Sequence, residues 1–389
     1  MPIASASLVR PMTNATLSRT PFHPWSAERG ARFVDFAGWE MAMSYGSIID
    51  EHHACRTGAA FFDVSHMGRV RFTGRHARRF LDRVCTRQVK GMERGMVRYS
   101  LVCNERGGVR DDVLVYCYEE DDYMLVVNAS NRLKLMDWFR GIKERENMTF
   151  SMEDVTASTA MAAIQGPKVI EMVGTMSREI PTLKRYRFAE KSLMVAKLTV
   201  SRTGYTGEDG VELVMGATVA RFVLPMLLRE KEGVAASVRP AGLGARDTLR
   251  TEASMPLYGH EISEEIDPLS AGLGFAVKLD KGGDSGEPGF IGQEALQRIS
   301  KEGTKHRLVG LEVEGRRAAR QGMGIHRGGE HVGHVTSGCL SPTLDKVIAM
   351  GFVPTELSAE GTEFEIDLGK ARTAARIVKM PFYNPVRGG

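Results

Sequence analysis

Five short apolar runs crowd the stretch from residue 307 to residue 380: RLVGLEV (307–313), HVGHVTSG (331–338), VIAMGFV (347–353), EFEIDLG (363–369) and AARIVKM (374–380). Each has strand length, and turn residues separate them. The spacing predicts a small antiparallel barrel or sandwich as a C-terminal domain over 304–385.

Upstream the pattern changes. Between about 60 and 150, GRVRFTG (68–74), RYSLVCN (98–104), DDVLVYCY (111–118) and DYMLVVN (122–128) read as strands. HARRFLDRVC (76–85) puts Phe80, Leu81 and Val84 at helical spacing, and SNRLKLMDWFRGIKE (130–144) reads as a helix with Ser130 as its N-cap. A second block of the same kind takes about 19–59 together with 151–265, and includes an amphipathic helix near 217–230. The two blocks make one region over 19–300, in which KLDKGGDSGEPGF (278–290) reads as an exposed loop or linker. The fold class is therefore α+β, with two mixed α/β sheet domains and the C-terminal antiparallel β-barrel or sandwich.

Charge narrows the function classes. The formal net charge is +4 over 389 residues, with Lys and Arg spread along the chain rather than blocked. That argues against a nucleic-acid partner and leaves only a weak bias towards anionic ones. No apolar run approaches the roughly eighteen residues of a membrane helix. The five cysteines (Cys55, Cys85, Cys103, Cys117 and Cys339) are far apart and never in CxxC, which fits a reducing compartment rather than a disulfide framework or zinc site. The N-terminus carries Arg10 and Arg19, many Ser and Thr, and no acid before Glu28. This is transit-peptide composition, and residues 1–18 are expected to be a mitochondrial leader, with the mature chain in the matrix.

Three stretches could carry chemistry. In GGVRDDVLVY (107–116) two acids stand at the mouth of an apolar strand. If the strand is extended from Asp111, then Asp112, Leu114 and Tyr116 share one face, and Asp111, Val113 and Val115 the other. One acid can then enter a given pocket while the other caps a turn or meets solvent. Turn duty for both acids is the alternative. In SRTGYTGEDGVEL (201–213) a glycine-punctuated loop places Tyr205 and Glu212, and Glu212 lies inside an apolar strand. A buried carboxylate needs partners, and a heterocycle with adjacent N–H groups would supply them. A hairpin with a salt-bridged Glu is the plainer reading. In GLGARDTLRTEASMPLYGHE (242–261) Arg246 and Arg250 fall on one helix face, suited to a planar carboxylate or to pairs with Asp247 and Glu252. The adjacent His52 and His53 would point about 100° apart on a helix and make a poor metal site. Asp63 and His66 read as a capping acid and a packed imidazole, with a catalytic His-Asp pair as the alternative. No nucleophile elbow, Rossmann fingerprint or Walker motif is present.

Taken in order, VDFAGWEMAMSYG, DEHHACRTGAAFFDVSHMG, NERGGVRDDVLVY, LVVNASN, AIQGP, RTGYTGEDGVE, GLGARDTLRTEASMPLYG and TSGCLSPTL resemble the aminomethyltransferases, the T-proteins of the glycine cleavage system. The resemblance runs from about residue 20 to about residue 380. It implies a three-domain cloverleaf with a tetrahydrofolate site at its centre. It implies transfer of a one-carbon unit from the aminomethyl-dihydrolipoyl arm of a lipoylated H-protein to tetrahydrofolate, with release of ammonia. The other glycine cleavage components would be indirect partners. Tetrahydrofolate would be a co-substrate, with neither metal nor flavin.

Position by position, the resemblance makes Asp112 the essential acid and Asp111 a neighbour of lesser weight. Tyr205 and Glu212 would bind the pterin, and Arg246 and Arg320 would serve the folate. Met67, Tyr99, Val126 and Asn128 would line the pocket. It breaks at the C-terminus, where relatives carry a tyrosine-bearing tail and MPFYNPVRGG carries Arg387. Arg316 and Arg317 compete with Arg320 for its position. Two related classes share part of the pattern: folate-dependent demethylases, and a non-enzymatic folate-binding factor of iron–sulfur protein maturation. The first carries an upstream flavin domain, and the second a Cys where GYTGEDG has none.

Overall fold

The computed structural model describes residues 17–193, 196–227, 238–282, 289–369 and 371–385, with the backbone of a two-residue strand Val9–Arg10. The chain forms two compact units. One is Met67–Ala157 with Leu257–Leu308, and the other is Met1–His66 with Ser158–Pro256 and Val309–Gly389.

The unit built on Met67–Ala157 holds a five-stranded antiparallel sheet. Its order is Val97–Cys103, Val109–Glu119, Asp122–Val127, Gly68–Thr73 and Ser151–Asp154. The helices Ala77–Val84 and Arg132–Arg145 lay Phe80, Leu81, Leu135 and Phe139 onto the face that carries Val113 and Val115. Strand alternation thus sorts the acids as expected, with Asp111 on the core face. The second helix starts at Arg132 and its N-cap is Asn131, not Ser130. The Asn131 side chain is drawn away from the helix end, donating to Asp111 Oδ1 at 2.5 Å.

The turn before the acids depends on glycine. Gly107 has φ +89°, and a Cβ on Gly108 would lie 1.8 Å from the Glu264 carbonyl oxygen. The exposed-loop reading of 278–290 is corrected at two residues, since Phe290 and Lys281 are buried, and 283–288 lie outside the described residues. Lys281 is buried, donating to the carbonyls of Cys85 and Arg87 at 2.8 Å each and lying 3.1 Å from Asp82.

The other unit holds a six-stranded sheet in the order Phe188–Leu193, Ala196–Ser201, Gly210–Gly216, Thr159–Gln165, Ala60–Asp63 and Arg239–Pro240. All its pairings are antiparallel except the last. A three-stranded sheet pairs Val9–Arg10 with Arg32–Phe36, and that strand with Trp39–Ser44. The C-terminal strands close a six-stranded barrel in the order His306–Val313, Lys346–Pro354, Glu330–Ser341, Gly324–Arg327, Glu363–Asp367 and Arg372–Val378. Leu311, Ile325, Val335, Val347 and Ile366 fill it. The sequence pattern hides Gly324–Arg327, a four-residue strand set between Gly322 and Gly328.

Candidate active site

Asp111 and Asp112 occupy opposite faces of Val109–Glu119, yet one side chain serves both. The Asn128 carboxamide nitrogen donates to Asp111 Oδ1 at 2.8 Å and to Asp112 Oδ1 at 2.7 Å. Asp111 is fully buried and accepts two further N–H bonds, from the Asn128 main chain at 3.0 Å and from Asn131 at 2.5 Å. It therefore ties down the turn that follows Val127. Asp112 is half-buried, and its Oδ2 lies 3.3 Å from the Tyr99 hydroxyl. Burial, and for Asp111 also the Asp112 charge, holds both carboxyls above the usual carboxylate range against the pull of the amide donors.

The register gathers the other expected residues of this unit. Tyr99 pairs with Leu114 and Leu114 with Val126, so Tyr99, Asp112 and Val126 share one sheet face. Val126 is buried there, Asn128 continues its strand by two residues, and half-buried Met67 precedes the neighbouring strand. The Tyr99 ring stacks on Phe275, which is 70% exposed.

In the other unit, Tyr205, Glu212 and Arg246 come together. Glu212 is buried in the strand Gly210–Gly216 and accepts the Thr203 hydroxyl at 2.5 Å. Burial raises its carboxyl above the ordinary range, while Thr203 and the Arg246 charge oppose the shift. The Tyr205 hydroxyl donates to the Pro256 carbonyl at 2.5 Å. Arg246, on the helix Leu243–Glu252, has a buried Nη1 with no hydrogen-bond partner among the described residues. The loop bearing Tyr205 is pressed onto Gln165, and a Cβ on Gly204 would stand 1.8 Å from the Gln165 carboxamide oxygen. Gln165 donates in return to the carbonyls of Thr203 and Val211, at 3.1 and 3.3 Å.

Arg56, unremarked in the sequence, holds this corner. Its guanidinium donates to the Thr206 carbonyl at 2.7 Å, Glu208 at 2.9 Å, Glu252 at 2.8 Å and the Leu249 carbonyl at 3.3 Å. The Tyr383 ring covers its face at 4.0 Å. His52 lies 3.3 Å from Glu252 and bonds Thr248 and Thr343 at 2.8 Å each. Burial lowers the His52 pKa, and the neighbouring Glu252 carboxylate opposes that shift. A usable signal was present: His52 and Arg56 are four apart, hence on one helix face.

Several sequence candidates fall elsewhere. Arg250 is a buried tie, bonding Asp247 at 2.9 Å and Ser337 at 2.8 Å, so it does not pair with Glu252 or present a second free guanidinium. Asp63 accepts the Thr20 hydroxyl at 2.5 Å and the Ser65 N–H at 2.9 Å, and His66 packs edge-on against Phe36. Arg316 pairs at the surface with Asp345 at 2.7 Å, whereas half-buried Arg320 forms no side-chain hydrogen bond or ion pair among the described residues. Arg387 lies outside the described residues. Among the described residues no group of three or more His, Cys, Asp or Glu side chains is placed to hold a metal ion, and no helix is long and apolar enough to cross a membrane.

These features define an α+β chain that ends in a closed six-stranded barrel and carries two buried acid centres. Residues 22–281 match the GCVT N-terminal domain, and residues 306–384 match the glycine cleavage T-protein C-terminal barrel domain. The aminomethyltransferase of Symbiobacterium thermophilum is 44% identical over 95% of this chain and 98% of its own length. That of Rubrobacter xylanophilus is 45% identical over 97% of each. The crystal structure of the glycine cleavage system aminomethyltransferase T from Bartonella henselae superposes with a TM-score of 0.86 at 29% identity, over 95% of this chain and 99% of that one. The chain belongs to the aminomethyltransferase family, the T-proteins of the glycine cleavage system, and is a transferase.

Proposed function

We propose that this aminomethyltransferase takes the aminomethyl group from the dihydrolipoyl arm of a lipoylated H-protein and delivers its carbon to tetrahydrofolate. The carbon's bonds to sulfur and to the amine nitrogen break, and two bonds to folate nitrogens form. The two folate N–H protons leave with the products, one in ammonia and one on the freed thiol. The observation that carries the reading is the half-buried Asp112 carboxylate, fixed at one oxygen by Asn128. As the amine departs, positive charge develops on the carbon. A preorganised carboxylate stabilises that charge without reorienting. Asp112 is exposed enough to meet a substrate, whereas Asp111 is not.

The second centre supplies what a pterin would need. Glu212 offers acceptor oxygens to ring N–H and amino groups, Arg246 Nη1 offers a donor without a partner among the described residues, and Tyr205 offers a ring face. Import into the mitochondrial matrix belongs to the same proposal, on the composition of the first residues. The relatives named above are bacterial, and a cut after residue 18 would remove the strand Val9–Arg10 from its sheet.

The test is turnover with H-protein carrying the aminomethyl arm. Ammonia and methylene-tetrahydrofolate should appear together, and only when both substrates are present. Oxidation of sarcosine or dimethylglycine instead, or folate binding with no turnover, would replace this reading by one of the two related classes.

A further inference from the structure

Asn128 is the first residue after the strand Asp122–Val127, and its carboxamide has two hydrogens to give. Both are spent on carboxylates, one on Asp111 and one on Asp112. Rotating the amide by half a turn would aim its oxygen at two acids, so the acids themselves fix its orientation. Asp111 also grips the Asn128 main-chain N–H, and Asn131 completes its coordination. With no exposure of its own, Asp111 cannot touch a substrate.

We propose that Asn128 is a positioning residue that sets the orientation of Asp112 and tunes its charge state, and that Asp111, which touches no substrate, acts on the reaction by anchoring Asn128 and through its own charge beside Asp112. This rests on the proposed role of Asp112. A carboxylate that loses an N–H donor is harder to ionise. A carboxylate that loses its tether samples other rotamers, which weakens a step dependent on fixed placement. Asn128 should therefore govern the pH at which Asp112 becomes competent, while contributing little to the affinity for the acceptor.

The other ionisable groups around the pair are accounted for. Tyr99 approaches Asp112 from the strand Val97–Cys103. Tyr258 feels the Asp111 charge and accepts from Lys134 of the helix Arg132–Arg145 at 2.8 Å. Lys134 in turn bonds Glu264 at 3.1 Å, and Arg110 lies 3.5 Å from that acid. On the strand Gly68–Thr73, Arg69 donates to the carbonyls of Met67 and Thr156, and Arg132 pairs with Asp154 at 2.7 Å. None of these makes a hydrogen bond to the Asn128 carboxamide, so its replacement changes the donors on the two acids and leaves the surrounding charges in place.

The experiment compares the wild type with Asn128→Ala and Asn128→Ser. It reads steady-state kinetics across pH with loaded H-protein and tetrahydrofolate, and the 13C carboxyl titration of Asp112 in the resting protein. In Asn128→Ala the acid limb and the carboxyl titration should move to higher pH by about one unit. The kcat should fall roughly tenfold while the KM for tetrahydrofolate stays within about twofold. Asn128→Ser keeps one hydroxyl hydrogen in place of two, so it should shift in the same direction by less, and it serves if the alanine variant does not fold. A raised KM with intact kcat would make Asn128 a ligand contact and overturn the inference, as would an unmoved carboxyl titration in both variants. A shifted titration in a chain that never transfers carbon to tetrahydrofolate would uphold the inference about the pair and overturn the proposed function.

Discussion

The Arg246 guanidinium lies over the Tyr205 ring, with its carbon 4.7 Å from the ring centroid. The pair joins the helix Leu243–Glu252 to the glycine-rich loop and sets a cation and an aromatic face beside buried Glu212. Replacing Glu212 with Gln turns one acceptor oxygen into a donor, which a ring N–H cannot use. Tetrahydrofolate binding should weaken by about 1–3 kcal/mol. Calorimetric titration of the variant measures this. An unchanged dissociation constant would make Glu212 a structural acid and detach this corner from the ligand.

Arg56 is tested through stability. Its partners Glu208 and Glu252 have side chains 4% and 0% exposed. Arg56→Met keeps the bulk and leaves two buried carboxylates without their cation, which should cost about 3–5 kcal/mol of folding stability. Urea unfolding gives the number. A loss under about 1 kcal/mol would show that the cluster relaxes or hydrates, and that the loop bearing Tyr205 is held by other contacts.

The same cluster sets an acid limit. Burial would raise the Glu252 carboxyl, but the bonds from His52, Arg56 and Ser341 outweigh it and bring the value from 4.5 to about 2. A carboxyl held low in the folded state stabilises the fold above its unfolded value, and that stability is lost as pH falls through the folded one. Glu252 should thus steepen the loss of stability between roughly pH 4.5 and pH 2. Asp111 and Asp112 act oppositely, since raised carboxyls favour the fold at low pH and lose that benefit as pH rises. Comparing acid unfolding of the wild type and Glu252→Gln isolates the first contribution. Parallel curves across that range would contradict it.

Much of this was readable in the residues. Alternation along DDVLVY assigned the two acids to opposite faces, and the apolar setting of Glu212 marked it as buried. What alternation could not show is that a residue beyond the next strand reaches both acids, because Asn128 meets them only through the pairing of Leu114 with Val126. Ser130 looked like the N-cap because local preference favours serine there, but the bond from Asn131 to buried Asp111 outweighs capping and starts the helix later. Lys281 looked exposed for want of apolar neighbours, and its partners are carbonyls some 195 residues away in the chain. Long-range polar contacts of this kind leave no period in the sequence.

The central claim is that the Asp112 charge drives carbon transfer. The most direct measurement is single-turnover release of ammonia from the loaded H-protein by Asp112→Asn in the presence of tetrahydrofolate, with folate affinity measured on the same preparation. Asparagine keeps the shape and removes the charge. The account predicts a rate at least about a hundredfold below wild type with folate binding essentially retained. Ammonia release within a few-fold of wild type, from a folded variant that binds folate normally, would contradict it.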